Sequence, residues 1–372
     1  MPREIKEGEI MNWVKSHWKL LAIALAVVVA AVVLIVVLAG GKGGDKGNHT
    51  ESPTPVNDST VNTTPENNPA EENQASVPDG SNTDDFDFYV TETGTVVTSY
   101  HGESSTIVIP SSYEGNPVNI IGDCFRDSIG SAYSDVTVVI PDSFTVIGEK
   151  VFQDCTAIVA VLLPDTIKEI GDFAFWGCTN LQSVNIPGSI EHIGWSAFED
   201  CSSLTGTLEF PLSLHDIGPS AFRNCAGIQG AVFKDCPAVI EEAAFEDCTN
   251  LASVSLGNAI TRIDSAAFSN TQITTICIPG SITGSGYCSA INECDYLETI
   301  EVLEGVENFD LYAFSNAPAA LKTITLPSGI PYVGRYSVYE SWTHNLPFAI
   351  RVPAGSDTEE AFKTRGVNYE TY

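Results

Sequence analysis

The sequence predicts a solenoid of stacked coils carrying a ladder of parallel strands, and three observations lead there. First, an aromatic recurs at Phe152, Phe175, Phe198, Phe222, Phe245 and Phe268, in steps of 23 or 24 residues, which is the spacing of a solenoid repeat. Second, each aromatic is preceded by a small residue (Val151, Ala174, Ala197, Ala221, Ala244, Ala267) and followed after about six residues by an aliphatic (Ile158, Leu181, Leu204, Ile228, Leu251, Ile273). Third, coils close on short segments in which apolar residues alternate with a varied one: VNIP at 184–187, VSLG at 254–257, ICIP at 276–279 and ITLP at 324–327. Period two marks a strand with one buried face. A following proline has no N–H to give to a ladder and turns the chain out of it. A unit of about 23 residues cannot bury its own apolar face, so neighbouring coils must stack into one core.

Ahead of the repeats the chain divides by composition. Residues 1–19 are a short polar head. LLAIALAVVVAAVVLIVVLA then supplies 20 uncharged residues from Leu20 to Ala39, long enough at about 1.5 Å per residue to cross a hydrocarbon core of about 30 Å. We read it as an uncleaved transmembrane signal anchor. The competing reading, a signal peptide cleaved near VLAG at 37–40, is disfavoured by length, since apolar regions of signal peptides run to about 7–15 residues. Arg3, Lys6, Lys15 and Lys19 precede the span and only Lys42 and Lys46 closely follow it, which places the N-terminus in the cytoplasm and the repeats outside a single-pass membrane protein. Ala22, Ala26 and Ala30 form a small-residue series of the kind that packs two such helices together, although an ordinary alanine-rich helix is the better explanation.

Residues 40–85 are rich in Gly, Asn, Thr, Pro, Ser and Glu and cannot bury enough apolar surface to offset ordering entropy, so a disordered stalk is expected; a flexible chain of that length averages about 35–40 Å end to end. Asn48, Asn57 and Asn62 each begin an N-x-[ST] triplet. In an Asn/Thr-rich stretch such triplets arise by chance, and they also suit a glycosylated external spacer. GGKGGDKG at 40–47 lacks the ending of a phosphate-binding loop. Asp84, Asp85 and Asp87 lack the ligand spacing of a calcium loop and read as a solvated acidic join.

The unit IGDFAFWGCTNLQSVNIP at 170–187, repeated with small changes at 193–211 and 263–279, closely resembles the leucine-rich repeats of the BspA-like surface protein family. The resemblance spans roughly residues 120–353 and extends to the flanks, VVTSYHGESSTIVIPSSYEGNPVNIIG at 96–122 and VPAGSDTEEAFKTR at 352–365. It implies a right-handed leucine-rich repeat solenoid with short helical or turn segments between its strands, displayed on a cell surface, with no catalysis. Stacked coils leave apolar faces and strand edges at both ends. Short strands in 86–119 are expected to cap one end and residues 354–372 the other, with Ser356 as helix N-cap, Glu359 at capping-box spacing, Ala361 and Phe362 on the apolar side, and Val367 and Tyr369 in a final extended piece.

Charge narrows the partners. With 48 Asp and Glu against 17 Lys and Arg, a net charge of −31 disfavours nucleic acid and anionic lipid surfaces for the outer part of the chain. The 10 cysteines do not read as a disulfide framework. Ser128, Cys155, Cys178, Cys201, Cys225, Cys248, Thr271, Cys294 and Ala317 share one repeat position, so the position requires small size rather than bridging. Stacked at about 4.8 Å, its Cβ atoms would lie farther apart than the roughly 3.8 Å of a good disulfide, and buried thiols packing as small hydrophobes are expected. Cys124, Cys236, Cys277 and Cys288 fall outside that column and are the only candidates for pairing or reactivity; a Cys288–Cys294 bridge is only weakly suggested. His192 and His215 lie one repeat apart, with Val239 and Arg262 next in the same expected column, and read as a surface ridge rather than a metal site. No cofactor motif occurs.

What remains is a row of outward residues between the buried residues of each strand: Val139, Leu162, Asn185, Glu209, Val232, Ser255, Cys277, Glu301 and Thr325. Its neighbours keep one chemistry while the row varies, as a binding surface on a scaffold requires; drift on a repeat protein gives the same pattern. The expected function is a non-enzymatic, membrane-anchored surface protein that binds extracellular proteins or glycans in adhesion or recognition. The alternative is a structural envelope protein that spaces or coats without a dedicated ligand.

Overall fold

The computed structural model describes residues 82–122, 125–129, 133–283, 287–291, 294–306, 308–309, 318–330, 332–333 and 347–372. The expected membrane span at 20–39, the stalk up to residue 81, Asn48, Asn57, Asn62, Cys124 and Ala317 lie outside the described residues. Within the stalk's expected range, residues 82–85 are ordered: Thr83–Asp85 forms a single 3-10 turn with Asn82 as N-cap.

The coils stack through parallel strands, as a leucine-rich repeat solenoid does. Thr106–Val108, Val136–Val139, Ile158–Leu162 and Ser183–Val184 make one run of the ladder. Gly206–Phe210, Ile228–Phe233 and Ser253–Ser255 make a second, and Thr275–Ile278, Thr299–Val302, Thr323–Thr325, Ala349–Val352 and Glu370–Thr371 a third. Inward residues such as Val138, Val161, Leu208, Ile276 and Ile300 are buried. After the strand, Pro141, Pro164, Pro187, Pro211 and Pro279 each accept from the N–H three residues on, at 3.1 to 3.2 Å, and so turn the chain.

Two further sets of backbone bonds join the coils. Val146–Ile147, Glu169–Ile170, His192–Ile193, Asp216–Ile217, Val239–Ile240 and Arg262–Ile263 form a six-stranded parallel ladder of two-residue strands. In the first four of these strands a glycine follows the isoleucine, and at Gly171, Gly194 and Gly218 the coils approach closely: a Cβ on Gly218 would come within 2.9 Å of the Gly194 carbonyl carbon; Glu241 and Asp264 take the place in the last two. At the aromatic turns the N–H groups of Phe173, Phe175 and Gly177 donate to the carbonyls of Trp195, Ala197 and Glu199 at 2.8, 2.7 and 2.9 Å, and the pattern continues through Ser220, Phe222 and Asn224. It works because every fourth residue is left-handed, for example Ser196 and Asp200 at φ 50° and 62°, which turns alternate N–H groups towards the next coil. That conformation costs about 1–2 kcal/mol for an ordinary L-residue. At the second of the two positions Asp154, Gly177, Asp200, Asn224, Asp247 and Asn270 relieve it, since short polar side chains and glycine tolerate it best.

The interior is a file of rings. Phe152, Phe175, Phe198, Phe222, Phe245 and Phe268 are fully buried, and successive centroids lie 5.2, 5.0, 5.1, 5.1 and 5.5 Å apart with planes tilted by 14° or less. Each ring thus contributes to the two coil interfaces that flank it, and an offset stack adds about 0.5–1.5 kcal/mol per pair beyond area burial.

At the N-terminal end Phe86–Val90 pairs antiparallel with Thr95–Tyr100, which runs parallel to Asn116–Ile121, itself antiparallel to Ser112–Tyr113. Thr106–Val108 does not belong to this sheet; it is the first rung of the solenoid ladder, beside Val136–Val139. A repeat-like rung thus lies within the residues expected to form the cap. At the other end the helix Asp357–Arg365 starts at Ser356, whose hydroxyl accepts from Glu359 N–H at 3.0 Å. The Glu359 carboxylate reaches one residue beyond the cap, to Gly355 N–H at 2.6 Å. Gly366 ends the helix at φ 66°. Phe362 and Val367 are buried, Thr358 Oγ1 bridges Pro327 O and Ile330 N–H at 2.6 and 2.9 Å, and Glu370–Thr371 adds the last rung beside Ala349–Val352.

Candidate functional site

The strand ladder fixes the outward row in space. Val139 lies opposite Leu162, Glu209 opposite Val232 and Val232 opposite Ser255, and Cys277, Glu301, Thr325 and Arg351 follow one another rung by rung. All nine expected members are exposed or half-buried, with Leu162 at 50 %. Two positions behind them runs a second outward row of small residues: Thr137, Ala160 and Ser183, then Thr207, Gly230 and Ser253, then Thr275, Thr299 and Thr323. The face is therefore low in relief, which the varied row alone did not disclose.

Several members of the varied row are already engaged. Asn185 lies just past its strand, which ends at Val184. Its side chain accepts from Leu163 N–H at 2.8 Å and donates to Leu163 O at 2.7 Å, replacing a backbone rung with an amide, so its role is to hold two coils together. Lys234 Nζ pairs with Glu209 at 2.7 Å. Cys277 Sγ donates to Glu301 Oε2 at 3.6 Å, and burial followed by that carboxylate raises the thiol's pKa. Val139, Leu162, Val232, Ser255 and Thr325 are left as the members with no polar side-chain partner among the described residues across the ladder.

The cysteine column is buried and unbridged at Cys155, Cys178, Cys201, Cys225, Cys248 and Cys294. It does more than fill space. Cys178, Cys201, Cys225, Cys248 and Cys294 each donate the S–H to the carbonyl of the aromatic one coil earlier, at 3.0 to 3.2 Å. Thr271 instead bonds within its own coil, to Phe268 O at 2.9 Å. Burial pushes the Cys155 thiol up to about 12 and the Cys178, Cys201, Cys225 and Cys248 thiols well above their ordinary range. They are therefore protonated and inert. Cys294 is unbridged, with its sulfur turned to Phe268 O; the Cys288 side chain of the suggested Cys288–Cys294 bridge lies outside the described residues. A second polar column, unread in the sequence, is formed by the hydroxyls of Thr166, Ser189, Ser213 and Ser281, which donate to the previous coil's carbonyls; Cys236 is buried and unbridged. Different residue types share that task, so no single letter repeats.

The two histidines also shift. Asp216, not His215, lies opposite His192, because the spacing between these coils is 24 residues rather than 23. His192 Nδ1 sits 2.6 Å from Asp216 Oδ2, and the two imidazoles stack at 5.6 Å. Among the described residues no group of three or more His, Cys, Asp and Glu is placed to hold a metal. At the N-terminal end Asp87 accepts from Ser99 Oγ at 2.6 Å and the Asp84 carbonyl meets His101 Nε2 at 2.9 Å, so these groups tie the first turn to the cap sheet.

Comparison with known proteins follows this geometry. The solved structures similar to this chain include a T. pallidum leucine-rich repeat protein, at 28 % identity over 51 % of this chain and 88 % of that one, with a TM-score of 0.45. A leucine-rich cell surface protein from Faecalibacterium prausnitzii matches at 22 % over 76 % and 77 %, TM-score 0.41. A leucine-rich repeat protein from Bacteroides ovatus matches at 18 % over 77 % and 98 %, TM-score 0.42. No curated protein matches. The BspA type leucine rich repeat region matches in six copies over residues 123–237 and 217–344, more than half the chain, and the protein therefore belongs to the BspA-type leucine-rich repeat family.

Proposed function

We propose that the chain is a non-enzymatic recognition protein of the cell surface, anchored through Leu20–Ala39 with its repeats outside, and that the strand face engages an extracellular protein or glycan. The observation that carries this reading is the relief of that face: a varied row between apolar neighbours that are buried or half-buried, beside a row of small residues that leaves room for a partner. The net charge of −31 directs the choice away from polyanions. A purified chain from Asn82 to Tyr372, tested against host cells, matrix proteins and microbial polysaccharides, should bind a defined subset saturably. Binding to none of them would remove the recognition reading. Fractionation tests the anchor: the chain should stay in membranes, and mature protein beginning near Gly40 in the medium would refute it.

One observation favours a structural coat instead. Asn185, Glu209 and Glu301 are occupied by neighbours within the chain, as scaffold positions would be. A coat predicts no saturable ligand, so the same panel separates the two.

A further inference from the structure

A different surface, at the aromatic turns of two successive coils, carries residues that the scaffold does not require. Along the turn position before the small residue, the coils place Lys150, Phe173, Ser196, Ser220, Ala243 and Ala266, all left-handed, and Phe173 is the bulky exception at φ 58°. A bulky side chain in that region is a genuine outlier, and here it is only half-buried. Two neighbouring positions repeat the anomaly. Trp195 stands where the other coils carry Glu149, Asp172, Pro219, Glu242 and Ser265, and Trp176 where they carry Gln153, Glu199, Arg223, Glu246 and Ser269. The three rings converge: Phe173 to Trp195 is 5.0 Å and Phe173 to Trp176 is 6.2 Å, edge on. Trp195 remains 52 % exposed.

Charge states what such a cluster accepts. Exposed carboxylates of Glu149, Asp154 and Asp172 lie on the adjoining turns. The two bases close by are already paired, Lys150 with Glu149 at 2.5 Å and Arg223 with Glu199 and Glu246 at 3.5 and 2.8 Å. The Lys150 ammonium also lies over the Phe173 ring at 5.4 Å from its centroid, so a cation from the chain itself already covers this ring and the indoles are left for a partner's. Indole faces attract ammonium and guanidinium groups more strongly than phenyl, and exposed Trp is the residue most often found at the energetic centre of an interface.

We propose that Phe173, Trp176 and Trp195 form a docking surface for a basic segment of a partner protein, with its Lys or Arg side chains over the indoles and the surrounding carboxylates matching their charge. The surface is separate from the strand row, so it stands or falls independently of the function proposed above.

The test uses charge-neutral changes, because a chain of net charge −31 attracts any polycation. The full chain, immobilised, is titrated with a Lys/Gly-alternating peptide, a Glu/Gly counterpart and a neutral oligosaccharide. The Lys peptide should bind, and the Trp176→Ala/Trp195→Ala variant should bind it about tenfold more weakly although its charge is unchanged. Trp195→Phe should recover part of the loss. Trp195→Ala alone, at an exposed position, provides the measurement if the double variant unfolds at lower temperature. Unchanged peptide affinity in both variants would show that only diffuse charge is at work and overturn the proposal. Loss of oligosaccharide binding with no peptide binding in the wild type would overturn it in favour of a glycan site.

Discussion

Replacing Phe198 with alanine strikes the file of rings at its centre. The side chain is fully buried and stacked at 5.0 Å on Phe175 and 5.1 Å on Phe222, with tilts of 6° and 5°. Truncation removes its burial and leaves a cavity that ladders on three sides keep from collapsing, so the expected loss is about 3–5 kcal/mol. Two stacked pairs at about 0.5–1.5 kcal/mol each place Phe198→Leu, which fills most of the space without stacking, at about 1–3 kcal/mol. Cys201→Ser, three residues along the same turn, is the control. Its sulfur donates to Phe175 O at 3.2 Å, a hydroxyl can make the same bond, and Phe175 O keeps the Cys178 N–H at 3.1 Å in either case; the cost should be about 1 kcal/mol or less. Urea unfolding of residues 82–372, followed by circular dichroism, measures all three. If Phe198→Ala costs no more than Cys201→Ser, the ring file does not hold the coils together.

Thiol titration of the native chain should leave Cys155, Cys178, Cys201, Cys225, Cys248 and Cys294 unreacted until unfolding, with exposed Cys277 the first of the described thiols to react; finding them already oxidised in unreduced, unfolded protein would refute the buried-thiol column. Truncation after Pro353 removes the buried Phe362 and Val367 and the last ladder rung, and should lower the melting temperature and promote self-association. A monomer with unchanged melting would show that the tail covers nothing. The Glu359 carboxyl is held below its ordinary pKa by the Gly355 N–H and then by Lys363. A depressed folded-state value means that its contribution is complete above the ordinary carboxylate value of 4.5 and is lost as pH falls through the folded value, so hydrogen exchange in 354–372 should accelerate on acidification and Glu359→Gln should abolish that dependence.

What could be read without coordinates is what repeats with the same letters. The aromatic column, the small residue before it and the strand alternation each keep one residue class for six coils or more, and together they fix a parallel solenoid. The two-residue ladder at Val146–Ile147 through Arg262–Ile263 was hidden because period two cannot show itself in two residues. The hydroxyl column was hidden because Ser and Thr share the task. The Asn185 rung and the offset between His192 and His215 depend on local register, which a 23-residue and a 24-residue spacing shift by one position. The candidate face was legible as a row of positions, but which members are free depends on cross-coil partners that no spacing records.

The strand face itself is the decisive object to perturb. Leu162→Lys, Glu209→Lys and Ser255→Lys, introduced together, alter three exposed positions of the row without touching the buried columns. With whichever ligand the binding panel identifies, the triple variant should lose at least tenfold in affinity while its melting temperature stays within a few degrees of the wild type, as surface substitutions do. Undiminished binding by a fully folded triple variant would contradict recognition through the strand face.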